Sequence, residues 1–291
     1  MTKVARSNPD SEGLVKLADP CVLCPRQCKA SRASGQAGFC GVGTEPVVSS
    51  AGPHFGEESV LVGTGGSGTI FFAGCNLGCL FCQNYEISHL CQGRLQTASQ
   101  LARTMLDLQA LGCVNINLVT PTHFTPPICE AIAQARDQGL RLPIVYNSGG
   151  YDAPDVLRQI EGFIDIYMPD MKYADASVAT QLSQAPDYPS VNREAILEMH
   201  RQVGDLQVSR GVAVRGLLVR HLVLPNSLAG SFEIVDFLAN HVSPSTAINV
   251  MDQYRPCFKA HADPRLNRRP LAEEVESVRR YAMDKGLRII E

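Results

Sequence analysis

The sequence predicts an α/β fold built on a parallel sheet, with a small cysteine-rich module in front of it. Two observations carry this reading. Short β-branched or apolar runs recur at residues 69–73, 114–119, 143–147, 164–168, 216–224 and 247–251. Between and after them lie helical patterns at 97–111, 126–138, 154–163, 192–203, 228–240 and 271–284. Strands alternating with helices of 10–15 residues imply βαβ units, hence parallel strands.

Each helix carries a start or stop signal. The first opens on Thr97-Ala98-Ser99 and closes at Gly112; the second begins at Thr125-Pro126 and stops at Gly139; the fourth ends at Gly204. Six such units fill three-quarters of a (β/α)8 barrel or an open sheet equally well. Before them, residues 1–20 read as a loose start. The stretch to residue 57 is rich in Gly, Ser, Ala and Pro with little apolar periodicity, as expected of a loop-built module organised by a metal. The domain reading is therefore 1–57 for this module and 58–291 for the α/β unit. The string from Glu58 to Cys75 reads as two short apolar runs around a glycine-rich turn.

Composition excludes several classes. The chain has 291 residues, 45% of them apolar and 19% charged, which is the balance of a globular protein and of neither a disordered chain nor a coiled coil. No apolar run approaches the ~18 residues of a membrane span. The net charge of −3 gives no electrostatic reason to expect nucleic acid. The start lacks the apolar core of a secretory signal, so a reducing cytoplasm is expected.

Eleven cysteines are the informative feature, and seven fall into two tight groups. Clustered cysteines in a reducing compartment read as metal ligands before disulfides. Cys75, Cys79 and Cys82 follow the first strand with C-x3-C-x2-C spacing. Three thiolates on one loop can hold three irons of a [4Fe–4S] cluster and leave the fourth open. A structural zinc wants four ligands, and Cys91 stands too far on to supply the fourth at the usual spacing. Cys21, Cys24, Cys28 and Cys40 offer four thiolates, enough to close a site completely around iron–sulfur or zinc. Gly63, Gly65 and Gly68 match the dinucleotide fingerprint as letters, but a strand follows where a phosphate site needs a helix.

The triplet, with Phe81 just before its third cysteine, resembles the signature of the radical SAM superfamily. The strings GSGTIFFAGCNLGCLFCQNYEIS, NINLVTPTHF, IDIYMPDMKY, VRHLVLPNS, MDQYRP and LNRRPL extend the resemblance over roughly residues 20–290. They are similar to the PflX-type branch, related to pyruvate formate-lyase activating enzyme. The resemblance implies a partial (β/α)6 TIM-like barrel with the cluster at the C-terminal ends of its strands. It implies S-adenosylmethionine chelating the open iron, one-electron cleavage to a 5′-deoxyadenosyl radical, and hydrogen abstraction from a protein glycine, another peptide or a small molecule. A low-potential flavodoxin- or ferredoxin-like donor is the implied partner.

Site residues follow residue by residue from the same resemblance. Where the superfamily carries a Gly-Gly-Glu-type motif against the SAM amine, this chain has Asn115 to His123, with Asn117 and Thr120 as the substitutes. Asp170 and Lys172 stand where activating enzymes carry an Asp-x-Lys, which puts Lys172 at the SAM carboxylate. Arg220 and His221 interrupt an apolar run, which points to a cavity contact, because burying an unpaired charge is costly. Lys172 and Arg220 are the residues expected in the chemistry. Gln253, in Gln253-Tyr254-Arg255, is expected on the adenosine side, and Phe81 near the adenine. Cys91, Cys113, Cys129 and Cys257 read as background, as do His54, His89, His200, His241 and His261. The competing class is a non-catalytic iron–sulfur carrier or metal-binding scaffold.

Overall fold

The computed structural model describes residues 11–291; the expected loose start is described only from Ser11 on. In chain order the elements are α1 (Ser11–Lys16), β1 (Val47–His54), α2 (Ser59–Val62), β2 (Ser67–Phe72), α3 (Tyr85–Ser88), β3 (Arg94–Leu95), α4 (Ala98–Ala110), β4 (Ile116–Val119), α5 (Thr125–Asp137) and β5 (Ile144–Ser148). They continue with α6 (Pro154–Gln159), β6 (Ile166–Pro169), α7 (Ala176–Ser183), α8 (Tyr188–Val203), β7 (Gln207–Ser209), β8 (Val212–Leu222), α9 (Ser231–Phe237), β9 (Ala247–Met251), α10 (Ala272–Asp284) and β10 (Arg288–Ile289).

One sheet runs in the order β10-β9-β8-β6-β5-β4-β2-β1-β3, with β7 paired to β8. From β2 to β10 along this path every pairing is parallel; β1 pairs antiparallel to β2 and β3, and β7 antiparallel to β8. The six strand runs of the sequence are thus the six long parallel strands, in an α/β fold of TIM-like type.

Alternation along the strands makes two layers. Ile70, Ile116, Leu118, Ile144, Tyr146, Tyr167, Val219, Ile248 and Val250 face the helices in the main core. Val145, Ile166, Met168, Leu218 and Ala247 point the other way and meet one another in a second cluster. Helix faces match: α4 buries Leu101, Ala102, Met105 and Leu108, and its capping box closes with Gln100 N–H on Thr97 Oγ1 at 3.2 Å and Thr97 N–H on Gln100 Oε1 at 2.8 Å.

Three local expectations change. The run at 59–62 is a turn of helix, not a strand, and it sends Leu61 into the inner cluster with no exposed surface. Gly63 and Gly66, both at positive φ, bend the chain round this turn. The strand that pairs with β2 is instead β1, so the sheet begins at Val47, ahead of the boundary read at residue 58. A short seventh parallel strand, β10, extends the sheet beyond β9.

Because Leu61 fills the inner layer from outside the barrel strands, Leu61→Ala should lower unfolding free energy by about 2–5 kcal/mol. Urea denaturation checks this, and a loss below about 1 kcal/mol would show that α2 does not pack there.

Candidate active site

The loop from Gly74 to Asn84 leaves the C-terminal end of β2, where barrel chemistry is placed. Gly74 and Gly78 adopt positive φ. A Cβ at Gly74 would stand 2.6 Å from the Cys40 carbonyl oxygen, so only glycine allows the loop to lie on the N-terminal module there. Each sulfur of the triplet has a hydrogen-bonding partner. Cys75 Sγ accepts the Leu77 N–H at 3.3 Å. Cys79 Sγ accepts Ser183 Oγ–H at 3.1 Å, and Ser183 in turn lies 2.7 Å from the Tyr173 hydroxyl. Cys82 Sγ and Ser88 Oγ are 3.1 Å apart. Burial pushes the Cys75 thiol up to about 12 and the Cys82 thiol upward as well, so a positively charged centre is needed to bring them out as thiolates.

The three cysteines line a cavity of about 380 Å³ that also takes in Thr120, Asp170, Lys172, Arg220 and Gln253. That is a volume suited to a small-molecule cofactor. Lys172 Nζ stands 2.5 Å from Asp170 Oδ2. Burial opposes the Lys172 ammonium, but Asp170 and the nearby Cys79 and Cys82 sulfurs hold it protonated, above the ordinary lysine range. Tyr188 fixes the approach: its hydroxyl accepts the Lys172 N–H at 3.0 Å and lies 3.0 Å from the Gly149 carbonyl oxygen. Thr120 sits at φ 62°, a left-handed conformation that strains a β-branched residue, and donates its N–H to the Asn147 carbonyl at 2.8 Å. Asn117, on the same face of β4 as Val119, is fully buried, and neither atom of its carboxamide has a partner.

Arg220 is at the cavity but its guanidinium is engaged. It donates to Glu58 Oε1 and Oε2, each at 2.6 Å, and to Glu57 Oε2 at 2.5 Å, while Asn249 Nδ2 donates to Glu58 Oε1 at 2.8 Å. His221 does not reach the cavity. Alternation along β8 turns it to the opposite face, where its ring is hydrogen-bonded to the Met171 carbonyl at 2.7 Å and to Ser231 Oγ at 2.8 Å. Phe81 is likewise placed in packing: its ring lies edge-on to Tyr173 and Tyr254, with centroids 6.3 and 5.8 Å away, in the cluster beneath the cysteine loop.

The cavity also holds residues that the sequence reading passed over. His54 and Glu57 line it, with His54 Nδ1 3.0 Å from Glu57 Oε1, and so do Asn147 and Ser148. Asn147-Ser148-Gly149-Gly150 is a polar, glycine-containing string at the C-terminal end of an apolar strand, a signal that was there to be read. Beneath it the buried Asp152 accepts from Ser148, Thr122 and Tyr146 at 2.6, 2.7 and 3.1 Å, joining the ends of β4 and β5.

A larger cavity, about 490 Å³, lies away from the triplet between the N-terminal module and helices α4 and α5, lined among others by Arg32 and His123. His123 is held at the Ala73 carbonyl, 2.9 Å from Nε2, and burial pulls its imidazole down to about 4. Cys21, Cys24 and Cys40 are buried and Cys28 is exposed. Among the described residues, no three His, Cys, Asp or Glu side chains close round a point as ligands of one bound ion do.

Burial opposes the charge of Glu58, yet the hydrogen bonds and charge of Arg220 outweigh it and hold the carboxyl below its ordinary 4.5. A lowered folded-state value contributes stability that is complete above the unfolded value and is lost as pH falls through the folded one. Arg220→Ala removes the charged partner and leaves Glu58 with Asn249 as its remaining side-chain donor. It should cost about 3–5 kcal/mol at neutral pH, and the deficit relative to wild type should shrink as the pH is lowered and Glu58 protonates. Urea melts of both proteins across the acidic range check this; a deficit that grows towards low pH would contradict it.

Comparison with known proteins agrees with this geometry. The model of the radical SAM superfamily matches residues 69–223, more than half of the chain, from β2 to just past β8. An uncharacterized protein of Methanocaldococcus jannaschii is 30% identical over 281 residues, covering 93% of this chain and 76% of the relative. With the cysteine triplet lining the cavity and the match running through β2, β4, β5 and β8, whose residues line it too, this chain belongs to the radical SAM superfamily.

Proposed function

We propose that the chain is a radical SAM enzyme of the PflX-type, activating-enzyme-like branch. On this reading Cys75, Cys79 and Cys82 ligate a [4Fe–4S] cluster, and S-adenosylmethionine occupies the 380 Å³ cavity beside them. The observation that carries this is the meeting, at the C-terminal ends of parallel strands, of three hydrogen-bonded cysteine sulfurs with a buried ammonium in one cavity.

The residues fit the group. The donor set is three soft sulfurs from one loop, the ligand type iron–sulfur clusters take. When bound, the cluster supplies one electron to the sulfonium of S-adenosylmethionine, which gives methionine and the deoxyadenosyl radical that takes hydrogen from the substrate. The protein binds, orients and excludes water. Lys172 presents a fixed positive charge for the methionine carboxylate, with Asp170 keeping it in place. At the end of β4, Thr120 lines the cavity and is the polar group available to the amine, whereas Asn117 lies deeper in the strand and is not among the lining residues. Gln253 lines the cavity beside the cysteine loop, where its carbonyl is held by Gln83 Nε2 at 3.1 Å. Arg220 orders the wall through Glu57 and Glu58. The substrate is a protein glycine, another peptide or a small molecule, and the electron donor a flavodoxin- or ferredoxin-like protein. A carrier of electrons alone has no use for a cavity of this size. Cys21, Cys24, Cys28 and Cys40 form, on the same reading, a second metal centre. Among the described residues no helix is long and apolar enough to cross a membrane.

Cys79→Ala should abolish formation of 5′-deoxyadenosine by anaerobically reconstituted, dithionite-reduced protein; wild-type yields from this variant would sink the mechanism. Lys172→Ala should weaken S-adenosylmethionine binding about tenfold, or about 1.4 kcal/mol, by isothermal titration of the reconstituted protein. An unchanged dissociation constant would remove Lys172 from the carboxylate.

A further inference from the structure

The N-terminal cysteines are built into the fold as the triplet is. In the triplet, the backbone N–H two residues on is directed at the sulfur, Leu77 to Cys75 and Asn84 to Cys82. The same step recurs in the module: Arg26 donates to Cys24, Ala30 to Cys28, and Val42 to Cys40. Phe39 gives Cys28 a second backbone donor. A thiol is a weak acceptor and an anionic sulfur a strong one, so peptide N–H groups aimed at sulfur suit thiolate ligands. Gly38 completes the cradle, since a Cβ there would stand 2.6 Å from Cys28 Sγ. The sulfurs influence one another electrostatically, Cys21 and Cys40 on Cys24, Cys21 and Cys28 on Cys40, and Cys21 on Cys28 through a hydrogen bond, without closing round one point.

A buried charge points at the same place. Arg32 is 2% exposed, and among the described residues it has no carboxylate within ion-pair distance. Its Nη1 donates to the His123 carbonyl at 2.8 Å and reaches Cys21 Sγ at 3.7 Å, Nη2 binds the Gly43 carbonyl, and Nε has no partner. A buried guanidinium requires an anion, and a centre ligated by four thiolates is one.

The module is also oriented. Cys28 is its exposed cysteine, and Cys21, Cys24 and Cys40 are buried. Cys24 Sγ accepts from the side chain of Asn76, the residue next to Cys75. Cys40 and Cys75 line one shared cavity of about 340 Å³. A zinc that only stapled the module would need neither adjacency.

We propose that Cys21, Cys24, Cys28 and Cys40 hold a second [4Fe–4S] cluster that relays single electrons from an external low-potential flavin or iron–sulfur protein to the cluster at Cys75, Cys79 and Cys82. The relay rests on the radical SAM reading; the second cluster does not. One electron moves at each step: the donor is oxidised, the N-terminal cluster is reduced and reoxidised, and the triplet's cluster is reduced. No bond forms or breaks and no proton moves.

The test uses the full chain, reconstituted anaerobically. Wild type should bind about eight irons, and the Cys75→Ala/Cys79→Ala/Cys82→Ala variant about four with as much sulfide, giving a reduced-cluster signal by electron paramagnetic resonance. A triple variant that holds one zinc, or no iron, overturns the proposal whether or not wild type cleaves S-adenosylmethionine. For the relay, Cys28→Ala, at the exposed ligand, should cut 5′-deoxyadenosine formation about tenfold or more with reduced flavodoxin. With dithionite, which reaches the triplet's cluster directly, the loss in the same variant should be several-fold smaller than with flavodoxin. Equal losses with both donors, or with neither, would refute the relay. Wild type that carries eight irons and makes no deoxyadenosine would instead refute the radical SAM reading and leave the iron count to decide on the second cluster.

Discussion

The guanidinium of Arg26 donates to the carbonyls of Asn76, Leu77, Ser183 and Gln184, and so ties together three pieces of chain that no strand or helix joins. It stacks on Phe39 at 3.8 Å from the ring centroid, which fixes the plane from which its N–H groups fan out. The cysteine loop has almost no backbone ladder of its own, so its shape must come from outside contacts. Arg26 supplies them from the N-terminal module, Ser183 from the end of α7, and the Cys40 carbonyl from beneath Gly74. Cysteines held this way stay in place before any iron arrives. A lysine could not substitute, because one ammonium cannot span four carbonyls in a fixed fork.

The second constraint is charge in a nearly dry barrel mouth. Two cations, Lys172 and Arg220, stand there, and each is matched differently. Arg220 has two carboxylates and gives up all its freedom to them. Lys172 has one carboxylate and the triplet's sulfurs, and Asp170 spans only one side of it. The consequence is a division of labour: Arg220 stiffens the wall between β8, β9 and the β1–α2 connection, and Lys172 keeps donors free for a ligand.

How far the sequence could be read follows from what each residue answers to. The six long parallel strands were legible because each is a run of β-branched and apolar residues buried on both faces, and helix starts were legible from Thr97 and Pro126. β1 was not, because Val47–His54 contains Gly52 and Pro53 and leaves much of its length exposed. The triplet was legible from spacing alone. His221 was misplaced for a single physical reason: two adjacent polar residues in a strand cannot both face the same side, and Arg220 takes the inner one. The partners of Arg220 could not be foreseen either, since Glu57 and Glu58 lie more than 160 positions away in the chain.

The cavity itself shows where what is general ends and what is particular begins. The stretch that matches the superfamily, residues 69–223, contributes the cysteines, Thr120, Asn147, Asp170, Lys172 and Arg220 to its lining. His54 and Glu57 before that stretch and Gln253 after it complete the wall. The N-terminal module, with its four cysteines, Arg26 and the buried Arg32, also lies outside it. Groups that bind and cleave a common cofactor must stay constant in chemistry, whereas groups that meet the substrate or the electron donor must differ from one enzyme to the next. On the proposed function, the choice of substrate therefore belongs to the β1–α2 connection and the loop after β9, and the choice of reductant to the module around Cys28.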